Sequence, residues 1–194
     1  MKKLLSMLLV ALFAFGLVGC GSETADPVVS SEPEVTTEIA ALDAFYAHPA
    51  IGEYADIRTL DDDYSTEQAQ LDGCFVIGAM DVYNDDLYAE FMEHYQNHED
   101  AFIRVAQTTV EGDLILNDVL YDSASGNVYL VHDSTRDAFS AESDRMITLR
   151  TYAGTVEYDL DSHLYWIAYN GEISDLNLNE EYSLDQAYVI ACIN

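Results

Sequence analysis

From Phe102 to Phe139 the apolar positions fall into short runs separated by compact polar breaks. Phe102–Val110 ends at Glu111-Gly112-Asp113, Leu114–Tyr121 ends at Ser123-Ala124-Ser125-Gly126-Asn127, and Val128–His132 runs back. Runs of this length, rich in β-branched and aromatic residues and bounded by glycine-bearing turns, predict three consecutive antiparallel strands. Gly112 supplies the positive φ that such a turn uses. The polar stretch Asp133–Phe139 that follows predicts a turn of helix capped by Asp133 or Ser134. Met146–Tyr152, Thr155–Tyr158, Leu164–Tyr169 and Tyr188–Ile193 predict further strands, with Asn170-Gly171 marking a turn.

Upstream the period changes from two to about 3.6. Leu87, Phe91 and Tyr95, flanked by Tyr88 and Met92, predict a helix over 85–97 with Asn84 as N-cap and Asp85 and Asp86 favoured by the helix dipole. Ile39, Leu42 and Phe45 predict a shorter helix over 38–47, closed before Pro49. Ser65 caps a further turn of helix through Leu71, and Cys74–Ile77 is a short strand or the lead into the next helix. Helices first and adjacent strands later define an α+β fold. We expect an antiparallel sheet of about five to six strands with one main helix packed on one face.

The first residues have a different character. Met1-Lys2-Lys3 precedes an apolar run, Leu4–Val18, too short to span a bilayer as a stable helix, which is the pattern of a secretory signal. Leu17-Val18-Gly19-Cys20 resembles a bacterial lipobox, so residues 1–19 are expected to be a lipoprotein signal peptide and Cys20 the lipidated residue. A diacylglycerol thioether with palmitate-class chains anchors stably where a single chain is marginal. Residues 20–36 then form an acidic, proline-bearing tether, and 37–194 a single α+β domain. The expected location is the extracytoplasmic face of the cell membrane, with the bilayer as a partner through Cys20.

Charge narrows the partners further. The chain has 36 acids against seven basic residues; losing Lys2 and Lys3 with the signal leaves five arginines and a net charge of −31. Nucleic acid and anionic lipid surfaces both require a basic face, so neither is an expected ligand. With Cys20 committed to lipid, Cys74 and Cys192 are a candidate disulfide in an oxidising compartment, two buried small hydrophobes being the alternative.

The segments Ile103-Arg104-Val105, Thr108–Asp113, Val119-Leu120-Tyr121-Asp122 and Asp133–Phe139, in the order IRV, TTxEGD, YD and DxTRDxF, resemble a family of small bacterial lipoproteins catalogued only as a domain of unknown function. The resemblance covers residues 70–170 or so. It implies the same fold and location and carries no activity. Leu114 stands where members often have proline, and Ile77-Gly78 where they often have histidine-glycine, so no role for that histidine transfers.

Candidate chemistry is sparse. His94 and His98 are four apart, but Tyr95 stands where a metalloprotease helix needs glutamate. Asp61, Asp63, Ser65 and Asp72 follow a calcium-loop order without its glycine, Thr66 occupying that place. No nucleophile elbow and no phosphate loop is present, and no cofactor is implied. Arginines are scarce enough that each is informative: Arg136 can grip a carboxylate through its planar fork, or pair with Asp133, Asp137, Glu111 or Asp113. Arg104, Glu111, Asp113, Asp133, Arg136 and Asp137 are therefore the candidate binding residues. Tyr165, Ile167 and Tyr169 are a candidate groove for a peptide or glycan. The leading expectation is a non-catalytic binding or interaction module of the cell envelope, with an envelope protein or small ligand as partner. The alternatives are an envelope hydrolase using a carboxylate pair and a weak calcium binder.

Overall fold

The structure is a computed structural model that describes residues 32–79, 81–160, 163–171 and 183–193. The signal segment 1–19, Cys20 and most of the tether lie outside the described residues. The described chain begins with helix α1, Glu32–Tyr46, six residues earlier than the spacing of Ile39, Leu42 and Phe45 predicts and inside the segment read as tether. Leu42 and Phe45 are buried, while Ile39 faces solvent. Single 3-10 turns follow at Pro49–Ile51 and Ile57–Thr59, started by the side chains of His48 and Asp56. Ser65 caps α2, Thr66–Leu71, through Gln68 N–H, as its sequence position predicts.

Strands β1 (Phe75–Ile77) and β2 (Val82–Tyr83) precede α3 (Asp85–Gln96), and then come β3 (Ala101–Thr108), β4 (Leu114–Asp122), β5 (Asn127–Asp133) and β6 (Ile147–Tyr152). These strands form one six-stranded sheet in the order β2-β1-β3-β4-β5-β6. All its pairings are antiparallel except β1 with β3, which run parallel because α3 carries the chain back across the sheet. The sheet is therefore mixed. Gly112, at φ 97°, makes the β3–β4 turn. Asp133–Phe139 is not helical: Asp133 and Asp137 hold successive tight turns through their side chains. Asn84 is also used differently. It adopts a left-handed conformation, caps nothing with its side chain, and donates its amide to the carbonyls of Gln70 and Cys74.

The last strands leave that sheet. β7 (Gly154–Leu160), β8 (His163–Tyr169) and β9 (Ala187–Ile193) form a separate antiparallel sheet of three. Only Ala153 separates β6 from β7, and the corner is tight: a Cβ on Gly154 would lie 3.0 Å from the Tyr95 hydroxyl. That hydroxyl accepts from Thr155 N–H, tying α3 to the corner.

Alternation along β3, β4 and β5 divides the apolar side chains between two cores. Ile103, Val105, Val119, Val128 and Leu130 pack with Phe91 and Met92 of α3 and with Trp166, Ala168 and Ile190 of the smaller sheet. On the opposite face Leu116, Leu120 and Val131 pack with Leu42 and Phe45 of α1, Ile51, Ile57 and Ala69. The main helix does pack on the sheet as the sequence predicts, and α1 covers the other face. Among the described residues no helix is long and apolar enough to cross a membrane.

Candidate functional site

Five of the six candidate binding residues lie at one end of the large sheet, and four of them, Asp113, Asp133, Arg136 and Asp137, are occupied in building it. The Thr109–Asp113 turn is closed by Thr109 N–H to the Asp113 carbonyl and by the Thr109 hydroxyl, which accepts from Asp113 N–H. The Asp113 carboxylate then accepts from Ala138 N–H at 2.9 Å, joining this turn to the segment after β5. Asp137 accepts from the backbone N–H groups of Phe139 and Ser140 and from the Ser140 hydroxyl, whose hydrogen bond leads the effects holding its carboxyl below the usual range. Asp133, buried, accepts from the backbone and hydroxyl of Thr135 and from the Arg136 guanidinium. Arg136 also donates to the carbonyls of Leu60 and Asp61 and lies over the Tyr64 ring. Its two terminal nitrogens are thus spent on the fold, the ion-pair alternative that the sequence left open, while its buried Nε has no partner among the described residues. Arg145 clamps the same segment by donating to the carbonyls of Ala138 and Ser140. Glu111 is exposed at the tip.

These interlocked turns present two large apolar side chains to water. Val110 is 97% exposed and Phe139 73% exposed. In the sequence the charges of these turns stand out, whereas Val110 and Phe139 carry no signal of their exposure.

Arg104 is elsewhere, on β3, and 1% exposed, with its guanidinium taken up inside the fold. It sits directly across from Asp118 in the β3–β4 register and donates to both carboxylate oxygens, at 2.6 and 2.7 Å, and to the Ala55 carbonyl. Tyr46 of α1 donates to the same carboxylate at 2.8 Å. Burial pulls the Arg104 guanidinium down, but the hydrogen bonds and charge of Asp118 leave it above its ordinary value. The bidentate geometry is that of an ionised pair. Among the described residues Asp118 and Asp133 are the buried carboxylates, and each is held by an arginine and further donors, an arrangement that holds structure.

Cys74 and Cys192 are both free thiols, so the candidate disulfide is not formed. Strand alternation explains this. Cys74 belongs to the core beneath α1, whereas Cys192 is on β9 of the small sheet, which packs against the other face. Burial pushes the Cys74 thiol up to about 11, and Tyr64 contacts it at 3.7 Å. The groove reading of β8 is corrected too, since Ile167, at its middle, is fully buried.

His94 and His98 do not converge. His94 meets Glu99 at 2.8 Å and Glu90 at 3.9 Å, and His98, at φ 58°, faces the Tyr121 hydroxyl. In the calcium-loop order, Ser65 is committed to its cap and Asp72 accepts from Gln68 and Tyr64. Ligand atoms converge instead at His48, Asp100 and Asp122, all within 4.8 Å of one another. No sequence pattern announces this group, because its members come from the end of α1, the entry to β3 and the exit of β4. His48 and Asp122 also line a cavity of about 370 Å³ between α1 and the sheet, walled by Ala41, Phe45, Leu120, Tyr129 and Leu149.

A two-sheet α+β domain with a buried cross-strand ion pair and a locked apolar tip is the class this geometry defines. Residues 74–163 match the family described as Domain of unknown function (DUF4362), in keeping with the resemblance read from the sequence. The match runs from the lead-in to β1 through the first residue of β8 and so takes in the whole six-stranded sheet and α3. No curated protein and no solved structure matches the chain.

Proposed function

We propose that the protein is a lipid-anchored, extracytoplasmic binding module of the cell envelope that recognises a protein partner through the tip carrying Val110 and Phe139. The carrying observation is that these two exposed hydrophobes sit on turns fixed by Asp113, Asp137 and Arg145. Turns whose backbone is already fixed lose little conformational entropy on docking, and the apolar side chains they expose can be buried by a partner. The surrounding Glu111, Asp113 and Asp137 suit a partner with a basic or hydrogen-bond-donating rim. The lipobox-like Leu17–Cys20 and the acidic tether support presentation of this tip away from an anionic surface.

The test is cross-linking in intact cells with the full-length protein, read by mass spectrometry. A Val110→Ser/Phe139→Ser variant is expected to lose its partner by about tenfold or more, equivalent to about 1.4 kcal/mol. Leu71→Ser, which removes a hydrophobe 81% exposed on α2, serves as the control that keeps it. Equal recovery with the double variant overturns the assignment of the tip. Metabolic labelling with a palmitate analogue, lost in Cys20→Ala, tests the anchor separately.

A further inference from the structure

We propose that His48, Asp100 and Asp122 form a binding site for a divalent transition ion of the Zn²⁺ class. The β3–β4 register pairs Ala101 with Tyr121, so Asp100 and Asp122 extend from the two strands at the same level. Like charges placed opposite one another in this way are destabilising unless a cation lies between them. The chain has few cations to offer. Arg58 is held by Asp43 and Asp56, Arg104 by Asp118, Arg136 by Asp133 and Arg150 by Asp185. Arg145 is spent on backbone carbonyls. His48 is the basic side chain placed at the pair, its Nε2 3.9 Å from Asp100 Oδ2.

Each carboxylate is oriented by one oxygen. Asp100 Oδ1 accepts from the backbone and hydroxyl of Ser123, and Asp122 Oδ1 accepts from Ala124 N–H. That leaves an Oδ2 on each for a metal, with the outer contacts that fix ligating carboxylates already made. Zinc bonds of roughly 2.0–2.2 Å place neighbouring ligand atoms about 3–4 Å apart, within reach of small side-chain rotations from the observed spacing. One imidazole nitrogen with two oxygens suits Zn²⁺ better than Ca²⁺, which takes oxygen shells. Coordination through Nε2 moves the ring proton to Nδ1 and gives up the 3.3 Å contact from Ala50 N–H. The site is therefore weaker than a four-ligand structural zinc centre. Because His48 and Asp122 also line the cavity under α1, water or a ligand oxygen can complete the coordination from that side.

The experiment is Zn²⁺ titration of the full-length protein in detergent by calorimetry, with X-ray absorption at the zinc edge. One ion per chain is expected, with histidine scattering in the spectrum, and roughly millimolar Ca²⁺ leaves it bound. His48→Ala weakens binding about tenfold or more, whereas His94→Gln leaves it unchanged. An oxygen-only shell, displacement by Ca²⁺ at comparable concentration, or equal affinity in His48→Ala overturns the site and shows diffuse adsorption by surface acids. The absorption spectrum needs only the unmodified chain, so a variant that fails to fold leaves a decisive readout.

Discussion

Arg104 and Arg136 drew notice in the sequence because cations are rare in it, and the structure gives that rarity a meaning opposite to ligand capture. Each neutralises a carboxylate that the fold buries, Asp118 or Asp133. Removing one partner of such a pair leaves an uncompensated buried charge. Arg104→Met is expected to lower stability by about 3–5 kcal/mol, read as a shift of the urea midpoint. Arg104→Met with Asp118→Leu is expected to recover much of that loss, because no charge is then left unpaired. A double variant as unstable as the sum of the two single ones counts against the pairing.

The strands flanking Glu111-Gly112-Asp113 and Ser123–Asn127 were legible because both turn chemistry and apolar runs lie within a few residues of each other. Three features at the level of elements were not. The parallel pairing of β1 with β3 depends on α3 folding back between them, β7 departs into a second sheet at a corner where distant Tyr95 lies against Gly154 and Thr155, and the helical start of α1 lies in a segment whose acids and proline read as tether. Period alone states that a strand is two-faced and does not name its neighbour. The join between the sheets is likewise built from distant residues: His132 Nδ1 meets Asn117 Oδ1 at 2.9 Å and the Tyr188 hydroxyl at 2.8 Å, while Asn117 donates to the Ile190 carbonyl. Burial, outweighing the opposing pull of Asp133, lowers the His132 pKa from its ordinary 6.5. The unfolded chain then takes up this proton first as pH falls. Stability contributed by neutral His132 is complete above about pH 6.5 and is lost as pH drops through the lower folded value. Thermal midpoints measured from pH 8 down to pH 5 are expected to fall below about pH 6.5, and His132→Asn to flatten that part of the profile. An unchanged profile in the variant would place the acid sensitivity elsewhere.

Over the whole molecule, 36 acids face seven basic residues, and the arginines are already paired with particular partners. The acids left over repel one another across a small domain. Salt screens this repulsion over about 10 Å at 0.1 M. Raising NaCl from about 10 mM to about 150 mM is therefore expected to raise the melting temperature. A fall would mean that exposed pairs such as Arg58 with Asp43 outweigh the general repulsion. The group at His48, Asp100 and Asp122 was beyond sequence reading for a related reason: among so many acids, the two that matter are distinguished only by the register that sets them opposite each other. Trp166, the chain's single tryptophan, lies on the central strand of the smaller sheet with no exposure, its ring edge-on to Tyr88 and Phe91 of α3. Its indole N–H has no hydrogen-bond partner among the described residues. The protein thus carries its own optical gauge: blue-shifted emission while the two sheets are docked, and a red shift as soon as water reaches the seam, whether or not the six-stranded sheet has opened.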